Sequence, residues 1–247
     1  MDKVMIVMLS SLFGGFVQAV TGFGSAIIIM IFLPFIFSMT AAPAVSDVIT
    51  MMLSFAMFWR YRKSVNFKRI LVPVGFYLLA STLVIYQSAF LDTGALKVLF
   101  GIFLIVLAGY FFLFSDRLKV RSSFGMNVLC AVLSGLCGGL FAISGPPVSL
   151  YYLAASKTKE EYLGTLNAFF SIVVVFNILS RMFSGFVTAE LAPSMVLGSV
   201  AVLAGCFVGS RVSHRIQMPV MRRCVYTLMI FAGVISAFQG FSSAELF

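Results

Sequence analysis

Two clusters of hydroxyls, glycines and prolines interrupt long apolar stretches, and their residue types suit hydrogen bonding to a small anion. The first is Gln18-Ala-Val-Thr21-Gly22-Phe23-Gly24-Ser25, and the second is Gly138-Gly139-Leu-Phe-Ala-Ile-Ser144-Gly145-Pro146-Pro147. Thr21, Ser25 and Ser144 offer O–H donors, while Gly22, Gly24 and Gly145 let backbone approach a ligand closely. A helix beginning after Gly22 to Ser25, or after Pro146-Pro147, would aim unpaired N–H groups and the positive end of its dipole at that ligand. The competing reading of each hydroxyl is a bond back to a carbonyl of its own helix.

Other polar groups are sparse. Asp47 stands between long apolar segments with no basic loop beside it. It reads either as an intramembrane carboxylate, by default functional and a candidate proton carrier, or as the first residues of a helix at the outer interface. Arg181, at the far end of its span, is expected to snorkel to the surface. Gln18, Asn167 and Asn177 either bond between helices or line a path. Tyr151 and Tyr152 follow the second cluster, where they either close a cavity or sit at the interface. His214 falls in a basic loop and reads as solvated.

The elements that hold these residues must lie in a bilayer. Of 247 residues, 61% are hydrophobic and 10% charged, and the mean hydropathy is +1.09. Too few polar side chains remain to coat a soluble globule. At about 20 residues per crossing the length allows roughly eight to ten membrane segments and no separate soluble domain. The formal charge of +9 sits between apolar runs. Arg60, Arg62, Lys63, Lys68 and Arg69 form one group, Arg117, Lys119 and Arg121 a second, and Arg211, Arg215, Arg222 and Arg223 a third. This is the positive-inside pattern, so the basicity marks cytoplasmic loops and no nucleic-acid partner is expected. Cys130, Cys137, Cys206 and Cys224 lie in or beside apolar runs without a CxxC pair, which reads as buried small side chains without disulfide, metal or cofactor. The opening MDKVMIVMLS reads as retained first-helix sequence.

Two uncharged runs are too long for one span: the first begins at Val4 and reaches Ser46, the second extends from Ser122 to Ser156. Each contains one of the clusters. An offset of about 123 places Gly15 on Gly138 and Gly22 on Gly145, and predicts a duplication of residues 1–116 and 117–247. If each long run crossed once, the Arg211 to Arg223 loop would fall outside. If each enters and returns, or makes two short crossings, all basic loops share the cytoplasmic side and the units are inverted. Backbone freed at a break cannot face lipid, so it must line a cavity or be sheltered by protein. Paired breaks in inverted units point to a secondary-transporter site near the midplane. The simpler reading is close helix packing through small residues, which suits Gly14, Gly15, Gly135, Gly138 and Gly139 better than Ser144-Gly-Pro-Pro. The fold class expected is thus an all-α integral membrane protein with two inverted repeats, each opening on a broken or re-entrant helix.

The GFxxxxTGFGSA-like block Gly15 to Ala26, the GxxxGxxxISGPPxxxYYL block Gly135 to Leu153 and the stretch Leu163-Gly-Thr-Leu-Asn167 resemble the TauE/SafE family of bacterial sulfite and organosulfonate exporters, also called TSUP permeases. The first block departs in carrying Phe23 and Ser25 where glycines are common. The resemblance implies a multi-pass inner-membrane permease for a small anion such as sulfite or a sulfonate. Substrate contacts are expected from Gln18, Thr21, Gly22, Gly24, Ser25, Ser144, Gly145, Pro146, Pro147, Tyr151 and Asn167, with Asp47 as a site for proton coupling. A gated anion channel and a non-transporting membrane scaffold are the other classes, and homo-oligomers stay open. Without a nucleotide-binding loop, an HExxH pattern or a Ser-His-Asp set, neither an enzyme nor an ATP-driven pump is expected.

Overall fold

Apolar runs in a bilayer must satisfy their backbone groups internally, and helices do this within one segment. The computed structural model of the protein describes residues 2–114, 123–212 and 218–244. Among them the regular structure is helical: α1 Asp2–Thr21, α2 Ser25–Phe32, α3 Ala41–Tyr61, α4 Leu71–Ser88, α5 Thr93–Phe114, α6 Phe124–Phe141, α7 Gly145–Ala155, α8 Lys159–Phe183, α9 Ala192–Val212 and α10 Met218–Ala244. Six of these, α3, α4, α5, α6, α8 and α9, lie in segments long and apolar enough to cross a membrane. α1 and α10 add the apolar stretches Lys3–Ala19 and Val225–Phe241. Leu79, Phe90, Phe183 and Phe238 project outward, as expected of a surface covered by lipid.

The overlong runs resolve into helix pairs. α2 has 8 residues and α7 has 11, which at 1.5 Å per residue gives lengths of about 12 and 16 Å, too short to cross alone. Each folds back along the longer helix before it. Gly14 of α1 lies against Ser25 and Ile29 of α2, and Ser134 Oγ of α6 accepts the Val148 N–H of α7 at 3.0 Å.

The long helices pack in a repeated pattern. α1 runs parallel to α9, with Val7 against Gly198, Leu12 against Gly205 and Phe16 against Gly209. α4 runs parallel to α6, with Tyr77 against Gly135 and Ser81 against Gly139. α3 and α8 are antiparallel, with Tyr61 near Gly164 and Asp47 bonded to Arg181. α5 and α10 are antiparallel as well, Gly94 meeting Gly240 and Gly101 meeting Gly233. Matching α1–α5 with α6–α10 turns every one of these pairings into another of them or into itself, which is the packing that two inverted units would have.

Two basic connections share one face. Arg69 Nη1 pairs with Glu161 Oε1 at 3.3 Å, and the Asn66 N–H donates to Thr165 Oγ1 at 3.1 Å. These contacts tie the connection after α3 to the start of α8, beside Lys157 and Lys159. Arg117, Lys119, Arg121, His214 and Arg215 lie outside the described residues, as do the side chains of Arg222, Arg223 and Cys224. At the other end of α4, Asp92 caps α5: its carboxylate accepts the N–H groups of Gly94 at 2.7 Å and Ala95 at 2.9 Å. The Ala95 and Gly94 amides hold this carboxyl below the ordinary carboxylate range.

Candidate functional site

Both long helices of the overlong runs end on a left-handed residue. Gly22 has φ 89° and Ala142 has φ 56°. The Gly22 N–H reaches Gln18 O at 2.8 Å, and the Ala142 N–H reaches Gly138 O at 2.9 Å, closing the last turn in the same way. Thr21 and Phe141 end α1 and α6, while Ser25 and Gly145 begin α2 and α7. The equivalence between halves is therefore an offset of 120, not about 123. Glycine spacing misled by three positions because the second half sets its left-handed turn on an alanine.

The start of α7 also corrects the expected donors. It begins at Gly145, before the prolines and not after them. Proline suits a first helical turn because its fixed φ matches the helix, but Pro146 and Pro147 have no N–H to offer a ligand. The Val148 N–H is already held by Ser134. What this end presents is the dipole, the Gly145 amide and the Ser144 hydroxyl.

The two breaks meet at a cavity of about 50 Å³, lined by Gln18, Gly24, Ser25, Ala26, Asp47, Ser144, Gly145 and Asn177 with apolar Phe23, Phe170 and Val174 around them. One water needs roughly 10–15 Å³ on this measure, so the space suits a few waters or one compact anion. At its α2 wall, Gly24 provides no side-chain cap. Instead Gln18 Oε1 accepts both the Ser25 N–H, at 3.3 Å, and the Ser25 hydroxyl. The amides of Ala26 and Ile27, in the first turn of α2, have no intrahelical acceptor. On the other wall, Asn177 Nδ2 donates to Tyr77 Oη at 2.8 Å, and Tyr77 Oη lies 2.7 Å from Ser144 Oγ. With Tyr77 donating onward, Ser144 keeps its own hydrogen to donate into the cavity.

Beside the cavity stands a buried ion pair. Arg181 Nε donates to Asp47 Oδ2 at 2.9 Å, and its Nη2 donates to the carbonyls of Gly139 at 2.7 Å and Gly138 at 3.2 Å. Arg181 is 1% exposed and Asp47 2%. Arg181 thus does not snorkel. Its guanidinium turns inward to a carboxylate and to two carbonyls in the last turn of α6, of which Gly138 O also accepts the Ala142 N–H. Asp47 is thus buried in protein and lies beyond the first turn of α3.

Beyond the cavity, on the basic face, lies an open vestibule of about 590 Å³ lined by Gly22, Arg60, Tyr61, Lys157, Lys159 and Tyr162, among others. No acidic side chain lines it among the described residues.

The structure thus brings Gln18, Gly24, Ser25, Asp47, Ser144 and Gly145 to one cavity. Gly22 lines the vestibule. Pro146 and Pro147 shape the first turn of α7 without lining the cavity. Tyr151 packs against Tyr152, and Asn167 donates to Leu163 O of its own helix at 2.9 Å; neither lines the cavity. Thr21 ends α1, and its side chain lies outside those described. Thr50 and Ser54 also line the cavity, and Tyr77 stands behind its Ser144 and Asn177; sequence reasoning missed all three. A tyrosine in the middle of a span, away from the interface that usually holds it, was the available signal for Tyr77.

Searches of curated proteins and of solved structures give no match. A family model described as sulfite exporter TauE/SafE matches residues 7–235. Nearly the whole chain, with both helix breaks and the cavity between them, falls inside that match, and the protein belongs to this family of membrane transporters.

Proposed function

We propose that the protein is a secondary transporter that exports sulfite or a comparably compact anion across the bacterial inner membrane. Residues 1–116 and 117–247 act as two inverted units that rock about the central cavity, exposing it alternately to either side. The observation that carries this reading is the convergence of both helix breaks on one cavity of about 50 Å³. Positive helix ends, freed amides and hydroxyls meet there, a combination that favours an anion without needing a cation. The basic vestibule supports loading from the cytoplasmic side, because a cleft with one sign of charge raises the local concentration of counter-ions.

Ser144 gives the direct test. Losing one hydrogen bond to a charged ligand costs about 1.5–3 kcal/mol, so Ser144→Ala should weaken sulfite binding roughly 10- to 150-fold. Sulfite uptake into inside-out membrane vesicles, measured across substrate concentrations, reads this as a raised KM. Unchanged affinity would remove Ser144 and the second break from the binding site.

A further inference from the structure

We infer that the cavity takes its cargo as a monoanion that still carries a proton, the hydrogen form of the oxyanion, and turns away the dianion. This rests on the transport reading above and names the chemical form of what is carried. Three observations lead to it.

No uncommitted positive charge faces the cavity among the described residues. Asp47 is its only charged lining residue, and the Arg181 guanidinium beside it is committed to Asp47 and to the carbonyls of Gly138 and Gly139. The pair sums to zero, so helix ends and hydroxyls alone offset the ligand's charge. The cost of desolvating an ion grows as the square of its charge, so a second negative charge in this space is far more expensive than the first.

The cavity also holds acceptors, which a fully deprotonated oxyanion cannot use. Asn177, 1% exposed, lines the cavity, and its Oδ1 has no hydrogen-bond partner, since its Nδ2 is committed to Tyr77. The Asp47 carboxylate lines the same space. A buried acceptor left unpaired is costly, and a ligand O–H satisfies it. Donors at Ser144 and the α2 amides for the oxygens, with acceptors at Asn177 and Asp47 for the hydroxyl, together describe a hydrogen oxyanion.

The ionisable groups around the cavity are Asp47 on α3, Arg181 on α8 and Tyr77 on α4; among the described lining residues, α1, α2 and the α6–α7 break contribute none. A pH dependence that follows the cargo must therefore be separated from one that follows these groups. Two cargoes of the same shape do so: sulfite, and selenite, which holds its proton to higher pH.

The experiment measures the KM of the full-length protein in proteoliposomes for each cargo across the neutral range, with sulfate, a dianion throughout, as competitor. The expected result is a KM for total sulfite that rises about tenfold per pH unit once the hydrogen form becomes scarce, since only the competent fraction binds. The selenite curve should have the same shape, displaced to higher pH as selenite's own proton is, and sulfate should not compete. A midpoint shared by both cargoes, a KM indifferent to pH, or sulfate competing as well as sulfite would overturn the inference while leaving transport intact. Absence of saturable flux for either cargo would overturn the transport reading itself.

Discussion

Gln18 holds its side-chain oxygen on the donors of Ser25, where an anion's oxygen would otherwise sit. The amide is an internal competitor for the α2 end as well as a wall of the site. One neutral hydrogen bond contributes about 0.5–1.5 kcal/mol net. Gln18→Ala should therefore tighten sulfite binding roughly 2- to 12-fold, whereas Gln18→Glu places a tethered carboxylate on the donors and should abolish binding. Titration of the purified variants with sulfite checks both, and weaker binding by Gln18→Ala would make the amide a ligand instead. These residues were partly legible in the sequence. Ser25 and Ser144 stood out because each accompanies one of the two glycine-rich breaks in an overlong apolar run. That Gln18 would satisfy Ser25 could not be read, because it depends on how tightly the chain turns back at Gly22.

At the scale of elements, the Asp47–Arg181 pair ties α3 to α8 and to the end of α6. Removing one partner of a buried pair costs about 3–5 kcal/mol, because the other charge stays behind unpaired, while removing both costs less. Arg181→Met should thus lower the unfolding midpoint more than Arg181→Met combined with Asp47→Leu, as measured by thermal unfolding in detergent. A loss in the double variant equal to the sum of the two single losses would show that the two charges are not coupled. The Asp92 cap of α5 makes a separate prediction. Its carboxyl is held below the ordinary range by the amides of Ala95 and Gly94, so its contribution is present above the unfolded pKa and is lost as pH falls through the folded one. Asp92→Ala should destabilise at neutral pH, and the difference from wild type should fade as pH drops well below about 4; a constant difference would argue against the cap. The existence of both helix breaks was visible from Gly and Pro, but their register was not. The sequence suggests a helix that starts after the prolines, whereas they occupy its first turn, and Ala142 carries no sequence sign of a left-handed turn.

Across the whole molecule, the positions of the basic residues carried more information than their number. Counting crossings against charge led to runs that enter and return or make two short crossings, and in the fold each run breaks into a helix pair, α1–α2 and α6–α7. What periodicity and composition could not supply were partners far apart in the chain: Arg181 and Asp47 are separated by 134 positions, and Asn177 and Tyr77 by 100. The inverted arrangement predicts that single cysteines at Lys63 and Arg211 label from one side of intact cells and those at Asp92 and Glu190 from the other; Lys63 and Arg211 labelling from opposite sides would contradict it. The central claim, a carrier that exposes one anion site to each side in turn, is tested most directly by counterflow. Proteoliposomes containing the full-length protein and preloaded with unlabelled sulfite are diluted into a trace of labelled sulfite. The account predicts transient accumulation of label above equilibrium, reduced in Ser144→Ala at the same sulfite concentration. Label that only equilibrates, at a rate indifferent to the sulfite inside, would mean a channel and would contradict it.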